Sequence, residues 1–231
     1  MFKLIKQHLC CLLMFVSTLG FAGPPETPAW KGERLLFVGN SITRHGPAPK
    51  IGWTGNWGMA ATAEEKDYVH LVVAAVEKMR GGKPAFKVVN VADFERGYEE
   101  FDVEGKLKDE VAFNADTVIV AIGENVPRLA TKEAEAKFKT AMVRMLKALK
   151  TDGRTALYVR SCFWADATKD TVMKEACEMA GGVFIDISGL GKVEQNYARS
   201  ERKIEHEGVG RHPGDIGMQA IADAIVAAMK K

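Results

Sequence analysis

Ser41, Asn125 and His212 are three residues of the right types for nucleophilic chemistry, and each stands where the chain leaves a regular pattern. Ser41 follows the apolar run Leu35-Leu36-Phe37-Val38 and the pair Gly39-Asn40 in "RLLFVGNSITRHGP". A serine hydroxyl attacks weakly until a base takes its proton, so it needs an imidazole within hydrogen-bond reach. His212, in "EGVGRHPGD", is the best partner, because it lies in a loop just before the last helix. In "VIVAIGENVP", a second apolar run ends in Gly123-Glu124-Asn125. A glycine lets the backbone approach a ligand closely, and an asparagine amide can donate to a developing oxyanion. Each residue also has an ordinary reading: a turn serine, a solvated loop histidine, a Gly-Asn turn.

The elements that must position these residues are visible as alternating apolar patterns. Short, mostly apolar runs at 34–38, 85–90, 117–122, 155–160 and 183–186 predict strands covered on both faces. Helices are predicted over 67–80, 133–150, 167–180 and 215–229. Phe138, Met142, Met145, Leu146 and Leu149 mark one face of the second, and Met218, Ile221, Ala222, Ile225, Val226 and Met229 one stripe of the last. "TDGR" at 151–154 and "GG" at 181–182 close helices before strands. Asp215 reads as the N-cap of the last helix. The alternation implies an α/β domain with a mostly parallel sheet and helices on both faces. Ligands of such sheets bind beyond the carboxyl ends of the strands, where Ser41, 123–125 and 161–164 would converge.

Residues 1–22 have the layout of a secretory signal: Lys3 and Lys6, an apolar stretch from Leu9 to Val16, then Gly20 and Ala22 before a cleavage point. That stretch is short for a membrane span. The expectation is an exported protein, periplasmic or extracellular, without stable membrane insertion once the signal is cleaved. A proline-rich arm follows at 23–33, and the domain proper covers 34–231. The chain carries 32 basic and 30 acidic side chains, and the leader takes two of the lysines with it. With no basic stripe or charge block, nucleic acid is a poor partner. Beyond the leader, only Cys162 and Cys177 remain, either as one disulfide or as two buried thiols. Neither their spacing nor any histidine motif suggests a metal site. The oligomeric state is left open.

"GNS" after the first strand, "GEN" after the middle strand and a histidine before the last helix resemble the SGNH (GDSL-like) hydrolase superfamily over most of 34–230. The resemblance implies a flavodoxin-like three-layer α/β/α sandwich with a mostly parallel five-stranded sheet. It makes Ser41 the nucleophile, His212 the base, and Asn125, with Gly123 beside it, part of an oxyanion and substrate-binding group. The α/β-hydrolase elbow G-x-S-x-G is absent, since "GNSIT" ends in threonine.

Several positions depart from the family pattern. Asn40 replaces the aspartate of the G-D-S block, and Val126 the aspartate of G-x-N-D. The N-x-G-x-x-G spacing from Asn90 falls on Ala92 and Glu95, leaving Gly97 as the candidate oxyanion glycine in a shifted register. The acid of D-x-x-H falls on Val209, which cannot orient an imidazole. Glu207 is then the candidate acid, with Glu205 a weaker one; the alternative is a Ser-His dyad whose ring is held by a backbone carbonyl.

The resemblance implies a serine esterase acting on small acyl esters with no cofactor, and together with the export expected from the leader and the tryptophans it points to O-acetyl esters on a glycan or small-molecule substrate. Trp164 is a candidate substrate contact, and Trp53 and Trp57 have faces suited to sugar rings or to packing. Arg44 and His45 are candidate pocket residues, whereas His70 reads as structural. The alternatives are a carbohydrate-binding protein of the same fold with little or no turnover, and an O-acyltransferase.

Overall fold

In the computed structural model, residues 31–231 are described. The leader at 1–22 and most of the arm at 23–33 lie outside them. The backbone hydrogen bonds of the buried strands must be met within the protein, and here they are met by one five-stranded sheet in the order β2-β1-β3-β4-β5. The strands are β1 (Arg34–Gly39), β2 (Ala85–Asn90), β3 (Thr117–Ala121), β4 (Ala156–Arg160) and β5 (Val183–Ile185). All four pairings are parallel. The helices are α1 (Tyr68–Arg80), α2 (Ala92–Arg96), α3 (Val103–Lys106), α4 (Lys108–Ala112), α5 (Lys132–Leu149), α6 (Ala167–Met179), α7 (Ala198–Glu201), α8 (Glu207–Gly210) and α9 (Asp215–Met229). The short helices α2 to α4, α7 and α8 lack the length over which a periodic apolar stripe could announce them.

Side chains alternate across a strand, and this alternation builds a core on each face of the sheet. Leu36 and Val38 of β1 face α5 and α6, joined by Phe94, Phe138, Met142, Leu146 and Met173. Leu35 and Phe37 face α1 and α9, with Val69, Val72, Met218, Ile221 and Ile225. Burying each such side chain stabilises the fold by roughly 1.5–3 kcal/mol before entropy is counted. The result is a three-layer α/β/α sandwich.

The capping groups fix where the helices start. Asp67 caps α1 through the His70 N–H at 2.8 Å and also holds the Gly58 N–H at 2.9 Å. Thr131 caps α5 and Asp166 caps α6. At α9 the expected Asp215 cap is not found. Gly214 occupies the cap position, and the first helical N–H groups, of Asp215 and Ile216, donate to the carboxylate of Glu201 at 2.9 and 2.8 Å. The Asp215 carboxylate instead accepts from Thr62 and Lys66. A carboxylate at a helix N-terminus is favourable whichever residue supplies it; here a neighbouring helix does.

Neither Cys162 nor Cys177 is in a disulfide. Both are buried thiols packed where glycines bring the backbone close. A Cβ on Gly123 would lie 2.5 Å from the Cys162 sulfur, and one on Gly182 2.8 Å from that of Cys177.

Chain order gives the site its place. From β1 the chain crosses to β2 on one side and then returns past β1 to β3 on the other, so strand order reverses at β1. Gly39 is level with Asn90 of β2 and Ala121 of β3, so the loops after the three strands leave the sheet together. Gly39 lets the chain turn there: a Cβ would meet Thr43 Oγ1 at 1.8 Å and the Ala121 carbonyl at 2.8 Å. Gly39→Ala is therefore expected to cost about 1–3 kcal/mol, or roughly 3–10 °C in Tm, in a thermal melt.

Candidate active site

The turn that carries Ser41 is closed by the Thr43 and Arg44 N–H groups, which donate to the Asn40 carbonyl at 3.0 and 2.9 Å. The Asn40 side-chain oxygen accepts from Ile42 N–H at 3.1 Å, and the Ser41 carbonyl accepts from Met59 N–H at 2.8 Å. The hydroxyl is thereby fixed at the sheet edge, half-buried, in a cavity of about 310 Å3 whose lining includes His45, Asn90, Ala92, Arg96, Asn125 and His212.

His212 reaches that hydroxyl from the loop between α8 and α9. Its own backbone is held on both sides: its N–H donates to Val209 and its carbonyl accepts from Ala198. Ser41 Oγ and His212 Nε2 are 2.8 Å apart. The other ring nitrogen, Nδ1, lies 2.7 Å from the Gly208 carbonyl oxygen. A carbonyl can only accept, so Nδ1 carries the proton and Nε2 presents its lone pair to the serine. The Trp164 ring stands edge-on to the imidazole, centroids 5.3 Å apart, and fixes its tilt. Burial moves the His212 pKa below the ordinary histidine value, against the opposing pull of the Gly208 carbonyl. The ring is therefore neutral, and basic, at neutral pH.

Glu207 does not approach the ring. It opens the helical turn α8, which projects its side chain outward to lie 3.9 Å from Arg211, with 87% of it exposed. The same turn delivers the next residue's carbonyl to Nδ1, so the acid position is occupied by backbone. Glu205 is likewise exposed.

Asn125 is set by a residue that pattern matching passed over. Glu95, on α2 and fully buried, accepts from Asn125 Nδ2 at 2.6 Å and Asn125 N–H at 3.1 Å. It also accepts from Gly123 N–H at 2.6 Å and Asn40 Nδ2 at 3.1 Å. The second proton of Asn40 goes to Glu124 at 2.7 Å, and Glu124 is held in turn by Arg160 at 2.7 Å and Phe163 N–H at 2.8 Å. Burial, then the charge of Glu124, raises the Glu95 pKa. Burial opposes ionisation of Glu124 too, but the charge and hydrogen bond of Arg160 outweigh it and lower that pKa. An aspartate at position 40 would set a third carboxylate against these two. The amide donates to both, which accounts for asparagine there.

Two of the glycines expected at the oxyanion site are committed elsewhere. The Gly123 N–H is spent on Glu95, and its φ of +119° serves close packing against Cys162 and Met173. Gly97 is exposed at the end of α2, its N–H turned back to Asp93 and Phe94. The register from Asn90 therefore ends not on a glycine but on Glu95. Trp164 packs on His212 rather than lining the cavity, with its indole N–H on the Arg211 carbonyl. Two donors remain at the serine: its own N–H, which meets no acceptor among the described residues, and the second Nδ2 proton of Asn125. Together with the neutral imidazole, this arrangement can activate a hydroxyl and receive a negative oxygen.

No protein-family model and no curated protein matches the chain, but solved structures do resemble it. A protein designated a GDSL-like lipase from Parabacteroides merdae aligns at 17% identity and a TM-score of 0.56, over 89% of this chain and 99% of that one. A second such protein, from Bacteroides uniformis, aligns at 15% identity and 0.54, over 86% and 95%. An acetyl xylan esterase from the rumen bacterium Butyrivibrio proteoclasticus aligns at 14% and 0.51, over 86% of this chain but 63% of its own length. The fold is that of the GDSL-like lipases and carbohydrate esterases.

The Ser41–His212–Gly208 geometry is testable without any substrate. A fluorophosphonate should label Ser41 at neutral pH, and His212→Ala should slow labelling by about 10³-fold or more. Glu207→Gln should label within about twofold of the unaltered protein, since no contact of that carboxylate with the ring exists to lose. Intact-protein mass spectrometry over time reads all three rates.

Proposed function

We propose that this chain is an exported serine ester hydrolase of the SGNH type that removes small acyl groups, O-acetyl above all, from a carbohydrate. The observation that carries the proposal is the pairing of Ser41 Oγ with His212 Nε2 at 2.8 Å, in a cavity also lined by Asn125, whose amide keeps one proton beyond its bond to Glu95. Export rests on the leader pattern at 1–22. The carbohydrate ester is supported by the acetyl xylan esterase among the solved structures of the same fold.

In this reading Ser41 Oγ attacks the ester carbonyl carbon as His212 Nε2 takes the hydroxyl proton. The carbonyl oxygen becomes an oxyanion that accepts from Ser41 N–H and Asn125 Nδ2. The imidazolium then returns its proton to the leaving alkoxide, and the acyl–oxygen bond breaks to leave an acyl-serine. Water attacks that ester with His212 as base again, and the acid is released. The Gly208 carbonyl holds the Nδ1–H throughout. It orients the ring as a triad carboxylate would, but contributes a dipole rather than a full charge to the imidazolium.

Hydrolysis of 4-nitrophenyl acetate should be lost on Ser41→Ala, and a protein inactive on acetyl and butyryl aryl esters and on acetylated sugars would refute the proposal. The acid limb of kcat/KM should fall below about pH 6.5. The sign follows from His212: its lowered pKa keeps the basic form populated further into acid. Asn125→Ala should lower kcat by about 10²-fold or more. Glu95→Gln replaces a four-fold acceptor by an amide with one acceptor oxygen. It should lower kcat by a similar factor with little change in KM, and the double variant should be scarcely worse than either single one.

A further inference from the structure

Beside the Ser41 cavity lies a larger cleft of about 860 Å3, sharing Ile51, His206 and Val209 with it. That size falls at the upper end of the roughly 300–1,000 Å3 typical of small-molecule sites. One wall is the 49–57 loop, folded back by isolated antiparallel pairings of His45 with Trp57 and Ala48 with Trp53. Trp53 and Trp57 pack edge to face at 5.6 Å, and both indole N–H groups donate inside the protein, to the His45 and Ala61 carbonyls. This wall is thus preformed and offers apolar ring surface without indole donors.

Three of the four charged groups lining the cleft are cationic. Lys50 and Lys203 are exposed, and neither has an acidic partner among the described residues. Arg202 donates through Nη2 to the Ala60 carbonyl, while its Nη1 is buried with no hydrogen-bond partner. Its nearest carboxylate, Glu201 at 3.7 Å, is already committed to the N-terminus of α9. Arg202 is ion-paired with Glu201, and against the two exposed lysines the lining has one acid, Glu205. Over the whole chain the counts are 32 basic and 30 acidic, so the excess is local to the cleft.

We infer that the cleft receives the alcohol portion of an ester carried on an acidic saccharide, one whose rings bear carboxylates. The inference rests on the esterase reading and names its substrate class. A ring enters over Ile51 and the tryptophan wall, and its carboxylate meets Lys50 and Lys203, with Arg202 behind them in the cleft wall. The ester oxygen points past Val209 and His206 to Ser41. Charge of this kind steers the ligand in and sets the preference for acidic over neutral polymers.

The test compares kcat/KM on O-acetylated polygalacturonate and on O-acetylated neutral xylan for the unaltered protein and a Lys50→Ala/Lys203→Ala variant. Calorimetry of de-acetylated oligogalacturonate binding to both proteins runs beside it. The acidic polymer should be preferred by about tenfold or more, and the preference should collapse in the double variant and between about 20 and 200 mM NaCl. Oligogalacturonate should bind the unaltered protein and bind the variant about tenfold more weakly. A ratio near or below one, or a ratio untouched by the double substitution, overturns the inference. If aryl acetates are not cleaved, the esterase reading fails by itself, and calorimetry still decides whether the cleft takes an acidic sugar.

Discussion

Two buried carboxylates and one buried guanidinium lie directly beneath the serine turn, and the geometry of the site depends on how their charges are resolved. Removing such groups from water costs several kcal/mol each unless partners replace the solvent. Glu95 is repaid by four hydrogen bonds and Glu124 by an arginine, an amide and a backbone N–H. Arg160 is less well served, since its Nε and Nη2 find no protein partner. A hydrophobic replacement of similar volume would stabilise such a place at least as well. What the polar network adds is position. It draws the loops after β1, β2, β3 and β4 to common acceptors, so the orientation of Asn125 is fixed by residues from four strand ends.

The same constraint separates what could be read along the chain from what could not. Ser41, Asn125 and His212 could be found because each stands at the end or start of a periodic pattern, and pattern and residue type survive in one dimension. The central strands β1, β3 and β4 could be found because strands covered on both faces are mostly apolar, and the edge strands β2 and β5 because their runs are short and rich in β-branched and aromatic residues. Glu95 could not, because a glutamate in "DFERGYEE" is indistinguishable from a solvated one until β2 is set beside β1 and α2 turns inward. Gly208 could not, because a carbonyl belongs to every residue, and only the turn of α8 says which one faces an imidazole. Glu207 misled for the complementary reason: a carboxylate near a histidine in sequence is aimed by the helix it starts. At α9 the helix end was legible and the identity of its acidic partner was not, since Glu201 is supplied by a separate short helix.

The histidine without a carboxylate and the asparagine without an adjacent aspartate can be seen as one redistribution of charge. The loop before α9 offers only a neutral carbonyl, while negative charge is concentrated under Asn125. Glu124 lies near enough to favour the imidazolium slightly, though burial remains the larger influence on that ring.

Cys162 and Cys177, the two cysteines among the described residues, lead outside the reaction altogether. Both sulfurs are buried, and burial raises both thiol pKa values, that of Cys177 to about 12. Thiolate is the species that oxidises and exchanges, so these positions are chemically quiet. The described domain accordingly reaches its packing without a disulfide between these two cysteines. The packing at these two positions is therefore the same in reducing and in oxidising surroundings.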